Sequence, residues 1–179
     1  MVDMKVKLGN STLRNPVVLA AGTCGVLGEI ADAINLSSIG GITSKSITME
    51  PRVGNEPLRM LELPKGMINA IGLANGGIEA FIEHHAPKAA NIDTTVIGSV
   101  AGDTVANYVS VAQAMDQIEG IELVEINVSC PNTADGLEFG ACPTQLTSLL
   151  QEIKPVLTRC GMIVKLFAAP GDIRPHAEA

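Results

Sequence analysis

The chain has 179 residues, 46% of them hydrophobic and 17% charged, enough for one substantial core and too apolar for a disordered chain. Its formal net charge of −7 at pH 7 argues against nucleic acid as a partner, because phosphate backbones attract clustered Lys and Arg. No apolar run approaches the ~20 residues that a membrane-spanning helix needs, and the opening stretch MVDMKVKLGN has an acid and no apolar centre, so a cytoplasmic location is expected.

In chain order, MKVKLGNSTLRN alternates polar and apolar residues around Gly9 and Asn10, which predicts a short β-hairpin. PVVLAAGTCG is an apolar run that breaks at Gly22, the pattern of a strand buried on both faces. LGEIADAIN then places Ile30, Ala33 and Ile34 at helical spacing. SIGGITSKSI is a second strand. After it, TMEPRVGNEPLRMLELPKGMINAIGLANGG runs for roughly thirty residues, and loops of that length inside a compact domain are usually functional. A helix carrying His84 and His85 follows, then the strand TTVIGSVAG. DTVANYVSVAQAMDQI predicts a helix with Asp103 as its N-cap. ELVEINVSC is a fourth strand and CPTQLTSLLQEIKPVL a helix, with Thr144 as its cap and Pro155 ending or kinking it. GMIVKLFAA is the fifth strand. Continuous apolar strands joined by helical crossovers predict a parallel α/β sheet, in one domain over residues 1–179.

Four cysteines, Cys24, Cys130, Cys142 and Cys160, show no C-x-x-C spacing, which argues against a zinc site and, in a reducing compartment, against disulfides. Cys24 and Cys160 suit small buried hydrophobes. Parallel α/β folds bind ligands at the carboxyl ends of their strands. Those ends offer Ala20, Ala21 and Gly22, then Lys45 and Ser46, Ser99, Asn127 with Cys130 and Asn132 beyond it, and Lys165; the long insert adds Asn69 and GLANGG. Each has an ordinary reading: small residues for tight packing, lysines reaching for water, Asn and Gly for a turn. Cys130, before a proline in a polar loop after a strand, reads as a functional thiol, and none of the three histidines reads as a base.

Three strings, TSKSITMEPRVGNEPLRM, GMINAIGLANGG and VEINVSCPNT, resemble in that order the motif series of the dihydroorotate dehydrogenases. The Cys of SCPN is similar to the class 1 enzymes, and the insert lengths are most similar to the class 1B catalytic subunit. The resemblance implies a (β/α)8 TIM barrel that binds FMN and oxidises dihydroorotate to orotate in pyrimidine biosynthesis. It implies Cys130 as general base toward C5, hydride transfer from C6 to FMN, and Lys45 beside both flavin and substrate. By the same resemblance Asn69, Asn127 and Asn132 would bind the pyrimidine ring, and the backbone of Ala70, Ile71, Gly72 and Leu73 the substrate carboxylate. Ala20, Ala21, Gly22, Lys45, Ser46, Ser99, Asn127 and Lys165 would contact FMN. An iron–sulfur flavoprotein electron-transfer subunit and a homo-oligomer are the implied partners.

The family often has Ser where Ala21 stands, Asn where Ser99 stands, and Ser-Pro-Asn after Lys165 where this chain reads LFAAPGD. Such barrels need ~250 residues, so this chain, with five predicted strands, is expected to be an N-terminal part of one, an incomplete barrel holding FMN weakly. Two other readings stay open: a non-catalytic half-barrel that acts as an interaction or oligomerisation module, and an aldolase-like enzyme with Lys45 or Lys165 as a Schiff-base lysine.

Overall fold

The computed structural model describes residues 2–129, 139–167 and 172–179. The predicted hairpin forms from β1 (Val6–Leu8) and β2 (Ser11–Leu13), with Lys7 opposite Thr12 and Gly9 supplying the positive φ of the turn. The main sheet takes β3 (Val18–Leu19) and β4 (Gly41–Thr43). The long insert contributes a separate antiparallel pair, β5 (Met60–Leu63) and β6 (Gly66–Asn69). The main sheet then continues with β7 (Thr95–Val100), β8 (Ile121–Asn127) and β9 (Gly161–Lys165). Its five strands are all parallel and lie in chain order. Between them run α1 (Gly77–His84), α2 (Ala86–Ala89), α3 (Val105–Asp116) and α4 (Pro143–Ile153); a short α5 (Arg174–Ala177) follows β9.

Four local expectations are corrected. LGEIADAIN folds as two 3₁₀ turns, Glu29–Asp32 and Leu36–Ser38, rather than one helix. Gly28 enters the first with φ 79 and no capping side chain, whereas Asn35 caps the second by accepting from the Ser37 N–H. The insert is not loop throughout, since it contains the β5–β6 hairpin. The N-cap of α3 is Thr104, whose hydroxyl accepts from the Asn107 N–H, while Asp103 is used elsewhere, in an ion pair with Arg52. Helix α4 starts one residue before Thr144, with Pro143 in its first turn, where a missing N–H costs nothing. Pro155 does end this helix, falling in the 3₁₀ turn Lys154–Val156.

The two faces of the sheet do different work. Toward the helices, Ile42, Val96, Val100, Val124 and Ile126 pack with Val111 and Met115 of α3 and Leu146, Leu149 and Ile153 of α4. On the opposite face, side chains in register form cross-strand rows. Thr43, Ile97 and Leu123 make an apolar-lined row, and one step further along the strands Ser99 and Glu125 make a polar one, followed by Asn127 beside Lys165. A register shift between Val96 and Ile97 skips Glu122 on β8 and lets Ile121 and Leu123 serve opposite faces.

Asp116, at the end of α3 and fully buried, anchors the turn before β9. Its carboxylate accepts from the backbone N–H of Thr158, Arg159 and Cys160 and from the Thr158 hydroxyl. Burial pushes this carboxyl upward, but those four donors outweigh it and bring the pKa down to about 2. Arg159 completes the lock by donating to the carbonyls of Asp116, Ile118 and Ile121.

Candidate active site

A cavity of about 760 Å³ opens where the carboxyl edge of the sheet meets the insert, within the size range of small-molecule sites. Ala21 and Gly22 line it after β3, Lys45 and Ser46 after β4, Asn127 and Ser129 at the end of β8, and Lys165 and Phe167 at the end of β9. The insert closes it with residues 52–55 and 69–73. Among the described lining residues are three cations, Lys45, Arg52 and Lys165, and no carboxylate. Arg52 and Lys165 are each paired with a carboxylate outside the lining, Asp103 and Glu125, whereas Lys45 has no ion-pair partner among the described residues and is the cation left for an anionic ligand.

The insert is held in place by its own polar residues. Asn55 donates its backbone N–H to the Ile71 carbonyl and its side-chain amide to the Ala70 carbonyl. Asn75 bridges three segments: its side chain donates to Thr48 and to the Leu73 carbonyl and accepts from the Gly77 N–H, while its backbone pairs with Arg52. Arg52 in turn pairs with Asp103, after β7. Gly72 has φ 73, and a Cβ there would sit 2.7 Å from the Asn55 nitrogen, so only glycine fits.

Below the cavity floor the polar row continues as a hydrogen-bonded chain. The Asn127 side-chain amide donates to Ser46 Oγ at 2.9 Å, Ser46 and Ser99 hydroxyls are 2.8 Å apart, and Ser99 donates to Glu125 Oε1 at 2.8 Å. Lys165 Nζ lies 3.9 Å from the same carboxylate oxygen. Asn127 itself is buried, and its carbonyl oxygen on the main chain accepts from the Tyr108 hydroxyl.

Of the residues singled out in the sequence, the structure brings Ala21, Gly22, Lys45, Ser46, Asn69, Ala70, Ile71, Gly72, Leu73, Asn127 and Lys165 to one cavity. Ala20 is exposed outside its lining. Ser99 is fully buried beneath Ser46 and meets the cavity only through that hydroxyl. Cys130 and Asn132 lie outside the described residues. Sequence reasoning missed Arg52, Asn55, Ser129 and Phe167. Only the Arg-x-Gly-Asn string of the insert carried a signal for the first two; nothing periodic marks the others. Cys24 and Cys160 are buried as expected, and burial pushes the Cys160 thiol up to about 11.

A parallel sheet whose strands lie in chain order, with a polar cavity at its carboxyl edge, fits the (β/α)-barrel class. The fold agrees: a solved structure of DHODH from Eimeria tenella, in complex with ferulenol, superposes with a TM-score of 0.81 at 18% identity, over 98% of this chain and 56% of that one. The sequence profile of dihydroorotate dehydrogenase matches residues 3–176, and the chain belongs to that family. It is 40% identical over 179 residues to the dihydroorotate dehydrogenase B (NAD(+)) catalytic subunit of Thermoanaerobacter sp. (strain X514), covering 99% of this chain and 59% of that one. The subunits of the same name from Desulforudis audaxviator and Parabacteroides distasonis are 40% and 39% identical, the chain covering 58% and 59% of their lengths. The chain thus spans a little under three fifths of the curated relatives it matches. Among the described residues, no helix is long and apolar enough to cross a membrane.

Proposed function

We propose that the cavity binds dihydroorotate and orotate, and that the chain contributes the substrate half of a class 1B dihydroorotate dehydrogenase acting in the cytoplasm in pyrimidine biosynthesis. The observation that carries this reading is the convergence of Lys45, Asn69, Asn127 and Lys165 on one cavity that no described carboxylate enters. A flat ring bearing a carboxylate and two amide-like edges needs that set: cations for the charge, amides for the edges, and small residues on one side for close approach. The Ile71 to Leu73 backbone, steadied by Asn55 and Asn75, would receive the carboxylate. Cys130 would take the C5 proton, and Lys45 would stabilise negative charge as it develops.

The residues present also fit FMN as the implied cofactor. Ala21 and Gly22 leave an open wall, and a Cβ added at Gly22 would still lie 3.7 Å from the Lys45 side chain, so a ring can approach the backbone there. Ser46, Asn127 and Lys165 would hold the ring edge. Bound there, FMN would supply the acceptor for the hydride that leaves C6. An electron-transfer subunit and self-association belong to the same proposal, as does the assignment of residues 1–179 to one domain of a flavin-binding barrel.

The test is an orotate titration of the purified chain, with and without FMN. Binding that weakens at least ~10-fold in both Lys45→Ala and Asn69→Ala is expected, since each removes a charged or paired hydrogen bond worth ~1.5–3 kcal/mol. Absence of orotate binding at millimolar concentration, or indifference to both substitutions, rejects the proposal. In the flavin-loaded enzyme, Cys130→Ala should cut turnover ~10²–10⁴-fold while orotate affinity holds.

A further inference from the structure

We infer that Glu125 is a positioning residue: acting through Ser99 and Ser46, it holds the Asn127 side-chain amide in the orientation that Ser129 sets, with the NH2 end committed to Ser46, so that a ligand there must offer a hydrogen-bond acceptor. The inference takes from the proposed function only that this cavity is the ligand site.

The polarity of the chain follows from its two ends. At one end the Ser129 backbone N–H, which can only donate, lies 3.1 Å from Asn127 Oδ1, and the Ser129 hydroxyl lies 2.6 Å from the same oxygen. That oxygen is therefore occupied twice, and the NH2 end must point toward Ser46. At the other end the Glu125 carboxylate is an acceptor only, so Ser99 spends its single proton there. Ser46 must then donate to Ser99, which leaves Ser46 an acceptor toward Asn127. Each hydroxyl has one proton; the Glu125 end sets the direction, and the Asn127 end is compatible with it. A donor in place of Glu125 would turn Ser99 around to donate to Ser46, so that Asn127 would share the Ser46 oxygen with that hydroxyl and the Ser46 proton would have to leave the row.

Asn127 consequently retains one uncommitted N–H and no uncommitted oxygen, and it lines the cavity. A carbonyl oxygen or a deprotonated ring nitrogen satisfies it; an amino or N–H edge does not. Glu125 never touches the cavity, and Lys165 at 3.9 Å offsets its charge. Its influence is transmitted by orientation, through two side chains that are nearly inaccessible to water.

The experiment reads the free protein first. In ¹⁵N-labelled chain, the Asn127 side-chain amide pair, assigned by its disappearance in Asn127→Asp, is expected to exchange slowly with water. Ser99→Ala and Glu125→Leu should each shift the pair and speed its exchange at least ~10-fold, although neither residue touches Asn127. Glu125→Gln, which keeps an oxygen acceptor for Ser99, should restore most of the protection lost in Glu125→Leu. Unchanged Asn127 signals in Ser99→Ala, a substitution small enough to fold, overturn the inference, as does a Gln variant no better than Leu. Orotate is then titrated into the same proteins, and a ~10-fold weakening in Ser99→Ala is expected. An amide that responds in a chain that never binds orotate refutes the proposed function and upholds this inference; orotate bound equally by all variants overturns it.

Discussion

Asp116 shows how one side chain can anchor a turn. Asp116→Ala would orphan three backbone N–H groups together with the Thr158 hydroxyl and is expected to cost about 3 kcal/mol or more, measured by urea unfolding. Its pH dependence has a definite sign. The folded carboxyl titrates at about 2, below its ordinary 3.8, so its contribution is complete above pH 3.8 and is lost as pH falls through 2. Unfolding midpoints followed between pH 5 and 2 should fall for the wild type more steeply than for Asp116→Asn. The thiols form a second test. Burial raises Cys24 and Cys160, whereas the N–H groups of Gln145 and Thr144 lower Cys142. Alkylation mapped by mass spectrometry should therefore reach Cys142 well before Cys24 or Cys160; similar rates at all three would contradict the packing around the buried pair.

At the scale of elements, the insert is a small structure with its own fastenings. Arg52 ties it to the segment after β7 through Asp103, and Asn55 and Asn75 tie it to itself and to β4's continuation. Asp103→Ala should accelerate amide exchange across residues 52–75 while moving the global midpoint little, because an ion pair that still meets solvent is worth ~1 kcal/mol or less. Exchange confined to the termini would show that the fastening lies elsewhere. The sequence made the five parallel strands readable because each carries a mostly apolar run, although only β4 and β7 are buried along their whole length. The β5–β6 hairpin escaped for the opposite reason. All eight of its strand residues are exposed, so burial imposed no alternation for a pattern to reveal. The first helical segment misled because three apolar residues at the right spacing do not overcome a left-handed Gly28 and an Asn35 that restarts the turn. The rim lysines and amides could be read from strand ends alone, whereas Glu125 could not, since a strand glutamate looks solvent-facing until its neighbours Ser99 and Lys165 are in place.

For the whole molecule, the decisive property is a sheet covered on two sides by different means. Helices cover one face; the other buries Ile97 and Leu123 and then turns polar toward the cavity. Met115→Ala tests the first covering and Leu123→Ala the second, each expected to cost ~2–5 kcal/mol in chemical unfolding as a large-to-small change at a closed site. A loss below ~1 kcal/mol for Leu123→Ala would mean that the second face is not packed. The charge distribution belongs to this scale too. In a chain of net charge −7, the cavity at the carboxyl edge of the sheet gathers two lysines and an arginine and, among the described lining residues, no carboxylate.

Leu73 draws these scales together. It is a non-glycine residue with φ 53, next to Gly72, and its carbonyl is captured by Asn75 at 2.7 Å. A branched side chain in that left-handed basin costs ~1–2 kcal/mol. The lip of the recess is thus a bent spring, cocked by its surroundings before any guest arrives. Relaxing it with Leu73→Gly should toughen the empty protein against heat and slacken its grip on orotate, a trade that a melting curve and a titration can expose together.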